Sequence, residues 1–131
     1  MRGALAAAAL LVACAGEGVR PGLTAETLAG EWTVTAIAGE PALSDAPATV
    51  TFGPDGRVSG TTGCNHFGGS YTVEDGELRL GPLAITKMMC PSPQTKQEAS
   101  VLDVLNAVRG ASVDGNLVLT GTNGTLVAER P

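Results

Sequence analysis

Two cysteines constrain this chain more than any other feature. Cys64 and Cys90 bracket a stretch that opens with Gly63-Cys64-Asn65-His66-Phe67-Gly68-Gly69-Ser70-Tyr71. It closes with Gly81-Pro82-Leu83-Ala84-Ile85-Thr86-Lys87-Met88-Met89-Cys90. Between the two lies a hairpin around Asp75-Gly76, a strong primed-turn signal. A bond between the cysteines would therefore pin a glycine-dense bend to the end of a Met-Met-Cys strand. Such a staple suits a globular part of about a hundred residues, near the lower comfortable size for a single core.

The third cysteine stands apart. Met1-Arg2 is a minimal positive n-region, and Ala4 to Val12 is wholly apolar. That run is short of the about 20 residues a spanning helix needs, but it matches the apolar segment of a signal peptide. It ends in Leu11-Val12-Ala13-Cys14, the form of a bacterial lipobox, whose cysteine is lipidated and becomes the first residue. A plain signal peptide with an incidental cysteine is the alternative. The expected organisation is a lipoprotein signal peptide over 1–13, a flexible tether over 14–26 and one folded domain over 27–130. Ala15-Gly16-Glu17-Gly18 and Pro21-Gly22 in the tether show no apolar periodicity.

Without residues 1–13 the chain carries seven basic against thirteen acidic side chains, a net charge of −6. A nucleic-acid binder needs a basic footprint, and with one Trp, one Tyr and two Phe there are few stacking platforms for bases. With Cys14 assigned to lipid, Cys64 and Cys90 remain as an even pair in an oxidising compartment. A disulfide and a pair of buried thiols packed as small hydrophobes both fit; the compartment favours the disulfide.

Thr24 to Leu28 reads as a short helical or turn entry. Gly30 to Ile37 alternates, with Trp32, Val34 and Ala36 on one face and threonines on the other, as in a half-buried strand. Thr49-Val50-Thr51-Phe52 and Arg57-Val58-Ser59-Gly60-Thr61 are strands joined by Gly53-Pro54-Asp55-Gly56, a turn with preset φ. Residues 69–73 and 77–80 form the Asp75-Gly76 hairpin, and Leu83 to Met89 is consistent with a strand leading to Cys90. The period then changes. Ser92 as N-cap and Pro93 at the first helical position start a helix over 93–109, with Val101, Val104, Leu105 and Val108 as its apolar stripe and Gly110 as its stop. Strands at 111–113, 117–119 and 125–128 follow, turning at Asp114-Gly115 and Asn123-Gly124. The fold class is α+β: a strongly curved antiparallel sheet or partial barrel of seven or eight strands, with one α-helix packed across it.

Chemistry is sparse. His66 is the only histidine, and there is no Gly-x-Ser-x-Gly nucleophile elbow to use it. Glu74, Asp75 and Glu77 sit on a hairpin turn, where solvation explains them better than paired-carboxylate hydrolysis. Cys64-x-His66 with Cys90 is one ligand short of a closed zinc site. The glycines at 60–69 lack the Lys-Ser/Thr ending of a phosphate loop and serve a tight bend. Asn65 is expected to hydrogen-bond its own backbone in that bend, and Phe67 to be core. No catalytic residue, cofactor or metal is assigned.

Together the motif at Gly63, Cys64, Asn65, His66, Phe67, Gly69 and Tyr71 and the motif Gly81-Pro82-Leu83-Ala84-x-Thr86-Lys87-Met88-Met89-Cys90 resemble the META domain family of HslJ-like heat-shock envelope lipoproteins. The resemblance extends over about residues 27–129. It implies a small, exported, often lipid-anchored domain with a curved antiparallel sheet and one helix, similar in fold to the pilot lipoproteins of secretion systems. It also implies an association with envelope stress, heat shock and novobiocin resistance, and it carries no catalytic residues. His66 departs from the basic residue, often Arg, expected at that position. The function read from all this is a non-enzymatic binding or assembly factor of the cell envelope, anchored to a membrane by lipid. It would face the periplasm from an outer membrane, or lie on the outer face of the cell membrane where there is no outer one. Its partner would be an envelope protein or an apolar ligand, and not nucleic acid. The competing reading is a small envelope hydrolase or inhibitor using the 63–90 surface.

Overall fold

Tight turns set the register of the sheet. Asp75 and Gly76 take φ values of 53° and 77° between Glu74 and Glu77, which face each other across the hairpin. That two-residue primed turn matches the right-handed twist of its strands. The computed structural model describes residues 23–131, so Cys14, the expected signal peptide and most of the expected tether lie outside the described residues. Helix α1 covers Ala25–Leu28; strands follow as β1 Gly30–Ile37, β2 Glu40–Pro41, β3 Thr49–Phe52, β4 Arg57–Thr61, β5 His66–Glu74, β6 Glu77–Leu80 and β7 Ala84–Ile85. Helix α2 covers Ser92–Asn106, and β8 Val108–Asp114, β9 Asn116–Gly121 and β10 Gly124–Glu129 complete the chain.

Eight strands form the main path in the order β6-β5-β4-β3-β1-β10-β9-β8, with β2 pairing β1 and β7 pairing β5 at the side. Every ladder is antiparallel. Directions therefore alternate, and the two end strands, β6 and β8, lie alongside one another in opposite senses without sharing a ladder. The result is a nearly closed sheet, with α2 packed across β1, β9 and β10. Trp32, Val50, Phe52, Val58, Leu78, Leu117, Leu119 and Leu126 of the sheet are fully buried, together with Val101 and Val104 of α2. These side chains fill the concave face.

Four expectations about elements need correction. Strand β1 does not alternate to its end: the register shifts between Val34 and Ala36, so Ile37 turns inward and Ala36 is only half-buried. A bulge of this kind bends a strand and reaims its side chains, and Thr35 there donates to the Val127 carbonyl at 3.2 Å. The 83–89 stretch pairs as a strand only over Ala84–Ile85, opposite Phe67 and Gly68. Helix α2 runs over 92–106, with Pro91 rather than Ser92 in the capping position and no side-chain cap. It stops at Ala107 because Val108 already faces Gly121 in the β8–β9 ladder; Gly110 lies inside β8, beyond a second register shift. A Cβ on Gly121 would collide with the Ala107 carbonyl, so the close helix exit needs a glycine there. Last, the β9–β10 loop is Thr122-Asn123, with Gly121 and Gly124 facing each other.

Helix α1 and the segment after β10 meet at Trp32. Its indole N–H donates to the Leu28 carbonyl at 2.8 Å, and the Arg130 guanidinium lies 3.7 Å over its ring. Arg130 also donates to the Ala29 carbonyl at 2.7 Å. The cation–π contact and the hydrogen bond together clamp α1 onto the last strand.

Candidate functional site

The bend after β4 is built by Thr62. This fully buried residue accepts hydrogen bonds on its Oγ1 from the Cys64 and Asn65 backbone N–H groups, at 3.1 and 2.9 Å. Its own N–H donates to the Asn65 carbonyl at 2.8 Å. Gly63 stands at φ 96°, and a Cβ there would lie 2.6 Å from the Ala46 carbonyl oxygen and against Gln97. Both conformation and space thus demand glycine.

Asn65, at 3 % exposure, does not bond its own backbone as expected. Thr62 has taken that role, and the Asn65 amide reaches across to the next segment. Its Oδ1 accepts from the Met88 N–H at 2.6 Å and the Thr86 hydroxyl at 2.9 Å. Its Nδ2 donates to Glu98 Oε2 at 2.9 Å and to the Met88 carbonyl at 3.3 Å. Those bonds use two donors and two acceptor positions, the full capacity of an amide side chain. The side chain therefore takes the place of the missing strand pairing at residues 87–89. Thr86 in turn accepts from the His66 N–H at 3.0 Å, and Thr62 Oγ1 donates to Glu98 Oε2 at 2.8 Å.

Cys64 and Cys90 are joined, with their Cα atoms 5.9 Å apart, inside the range a disulfide bridges without moving the backbone. Asn65 holds Met88 from one side and the disulfide holds Cys90 from the other. Met88 and Met89 are thereby left projecting, 54 % and 97 % exposed, and Lys87 beside them is exposed as well.

Helix α2 closes the arrangement with two polar side chains. Gln97, 8 % exposed, accepts from the Leu43 N–H at 2.8 Å and donates to the Ala46 and Thr62 carbonyls, both at 2.9 Å. Glu98, the next residue, receives Thr62 and Asn65. Among the described residues, Gln94 Oε1 is the buried side-chain polar atom left without a partner. No motif or turn pattern in the sequence marks Thr62 or Glu98 as part of this site. Gln97 did leave a signal: it stands one turn before Val101, on the apolar stripe, where a polar residue needs buried partners.

The remaining motif residues separate into core and surface. Phe67 is buried, and its ring fills the space above Gly60, where a Cβ would lie 2.7 Å from its Cζ. Gly69 lets the chain at Pro82 and Leu83 come close; a Cβ there would stand 2.9 Å from the Pro82 carbonyl. Tyr71 donates to the Gly53 carbonyl at 2.7 Å and packs edge-on against Phe52 with ring centroids 5.0 Å apart. Burial pushes its phenol above the ordinary tyrosine range, with Asp55 and Glu26 adding to the shift. The His66 side chain is exposed and, among the described residues, makes no hydrogen bond. With both sulfurs bonded to each other, the Cys64, His66 and Cys90 set offers no thiolate to a metal. Glu74 and Asp75 point to solvent, and Glu77 pairs with Arg79 at 2.8 Å on the exposed hairpin.

Fold and bend together define a class: a small, nearly closed antiparallel sheet with one covering helix and a disulfide beside an amide clamp. The META domain family model matches residues 25–130, and the chain belongs to the META domain family. It is 34 % identical over 85 residues to the heat shock protein HslJ of Escherichia coli K12, an alignment covering 63 % of this chain and 59 % of that protein. The chain thus spans less than two thirds of that relative's length. Two solved NMR structures are similar in fold. One has 27 % identity and a TM-score of 0.68, covering 82 % of this chain and 94 % of the other. The second, from Burkholderia xenovorans, has 28 % identity and a TM-score of 0.66, covering 93 % and 99 %. A DUF4847 family protein from Bacteroides vulgatus, at 16 % identity and a TM-score of 0.56 over 78 % of this chain and 92 % of that one, shares the fold.

Proposed function

We propose that the chain is a non-enzymatic lipoprotein of the cell envelope, anchored through a lipid on Cys14 and acting as a binding or assembly factor under envelope stress. One observation carries the binding role. A buried amide clamp and a disulfide fix the backbone on both sides of Met88 and Met89 and hold two large apolar side chains in solvent. A fixed backbone lowers the ordering cost of binding, while the flexible thioether adapts to varied partner surfaces. The concave face of the sheet is filled by Trp32, Phe52 and their neighbours, so a partner fits better on the outer surface than an apolar ligand fits inside.

The family, and the heat-shock name of the E. coli relative, support the stress association. The anchor rests on the Leu11-Val12-Ala13-Cys14 sequence, and Ala15 after the cysteine suits sorting to an outer membrane where there is one. Each acyl CH₂ contributes about 0.8 kcal/mol of membrane affinity, so lipidation by more than one chain holds firmly. The test pairs two variants in the native host. Cys14→Ser should yield unprocessed precursor or soluble protein. Met88→Asp with Met89→Asp should keep membrane association and the melting point while losing protection against heat or novobiocin. Unchanged fractionation and mass of the Cys14→Ser protein would remove the anchor, and unchanged stress tolerance of the double variant would remove the contact surface.

A further inference from the structure

All the sulfur of the described residues is gathered at one end of the 63–90 segment. Two of its four atoms are bonded to each other in the Cys64–Cys90 disulfide, and the other two are the thioethers of Met88 and Met89 beside it. The disulfide offers no thiol to an oxidant. Trp32 and Tyr71, the other side chains that oxidants attack readily, are buried. Susceptibility to oxidation follows exposure, and both methionines stand in solvent. An oxidant that reaches the domain therefore meets these two thioethers first.

Their surroundings allow the change without harm to the fold. Neither methionine belongs to the packed core. Met88 is held through its backbone, its N–H by Asn65 Oδ1 and its carbonyl by Asn65 Nδ2. An oxygen added to either sulfur thus disturbs no core contact and no bond of the clamp. It does turn a flexible apolar side chain into a polar one, the change that disrupts methionine-rich contacts. Among the described residues no hydrogen bond reaches either sulfur, since Met88 bonds through its backbone alone. Nothing in the site therefore activates a sluggish reagent such as hydrogen peroxide. The reagent that suits an unassisted thioether is a strongly electrophilic oxygen donor, hypochlorous acid.

We propose that Met88 and Met89 form a sulfoxidation site, at which hypochlorous acid switches the contact surface off without unfolding the domain. Each thioether sulfur gives an electron pair to the oxygen of the acid. An S–O bond forms, the O–Cl bond breaks, and chloride and a proton leave; sulfur is oxidised by two electrons and chlorine reduced by two. Methionine sulfoxide reductases reverse the step, two thiols supplying the electrons as they join in a disulfide and the oxygen leaving as water. The inference rests on reading Met88 and Met89 as a contact surface of an exported domain, and adds its regulation.

The test uses the full chain in a native host that lacks its own methionine sulfoxide reductases and carries an inducible one directed to the envelope. After a limiting pulse of hypochlorous acid, peptide mass mapping should find oxygen added to Met88 and to Met89. The Cys64–Cys90 bond should be intact and the melting point of the recovered protein unmoved. Heat protection due to the chain, taken as the difference between hosts with and without it, should fall several-fold and return once the reductase is induced. Unoxidised methionines, a lowered melting point, or a loss that the reductase does not reverse would overturn the proposal. So would an unchanged difference with both sulfoxides in place. In that event, loss of protection in the Met88→Asp/Met89→Asp protein would leave the contact surface standing, and protection by that protein would overturn both readings.

Discussion

Asn65 and His66 are neighbours in one motif, and their environments are opposite. Asn65 is buried and satisfies the backbone of Met88, the Thr86 hydroxyl and Glu98. The His66 side chain is exposed and, among the described residues, bonds nothing. Removing the Asn65 amide leaves part-buried groups of Thr86, Met88 and Glu98 without partners, each costing toward the lower end of about 1–3 kcal/mol. Asn65→Ala should therefore lower the unfolding free energy by about 2–4 kcal/mol in total, whereas His66→Ala should stay within about 0.5 kcal/mol, as for ordinary surface changes. Urea denaturation of the two variants side by side checks this; equal losses would show that the clamp is not what holds residues 86–88. The sequence marked Asn65 as belonging to a bend but not the direction of its side chain. That direction is set by the arrival of Met88, 23 residues later, which no local pattern encodes.

At the scale of elements, helix α2 does two jobs. Val101, Val104 and Leu105 cover the sheet, while Gln97 and Glu98 hold the 41–48 loop and the 62–65 bend. The disulfide ties that bend to the chain just before the helix. Losing it in a Cys64→Ala/Cys90→Ala protein frees a loop of the unfolded chain and should cost about 2–5 kcal/mol. For a domain of this size the melting point should then fall by about 10 °C or more. Thermal unfolding of the double variant, with non-reducing mass mapping of protein taken from the envelope, is the measurement. Two free thiols would remove the bond, and an unmoved melting point would remove its structural role. The helix itself was legible from its apolar spacing. Its ends were not, because the exit at Ala107 is imposed by the closeness of Gly121 and the start carries no side-chain cap.

At the largest scale, the described residues form a sheet whose two ends meet without a ladder. Strands β1 and β10 are hydrogen-bonded on both sides, but β6 and β8 are joined only by packing along their shared seam. Amides on those facing edges lack cross-strand carbonyl partners, so local opening there requires less free energy. Amide hydrogen exchange should be fastest along the facing edges of Glu77–Leu80 and Val108–Asp114, and slowest in the β1 and β10 amides. Uniform protection around the sheet would mean that the seam is a true ladder in solution.

What the sequence determined by itself was local. Primed-turn dipeptides, alternating runs and the Val101, Val104 and Leu105 spacing carry their own physical causes within a few residues. From them came the strands, the helix, the antiparallel order of neighbours and the curved sheet with one helix across it. The tertiary structure decided whatever depends on segments far apart in the chain. The shift within β1 follows from β10 closing against it. Strand β7 stops after two residues because Asn65 takes over the pairing. Gln97 and Glu98 are buried or half-buried because loops from 41 to 65 bring them carbonyls and hydroxyls. Met88 and Met89, apolar enough to read as the end of a strand, are turned outward because the groups fixing their backbone lie on the other side. Hydrophobicity indicates that burial is favourable, but which side chains reach the core is settled only when distant backbone groups have claimed their hydrogen bonds.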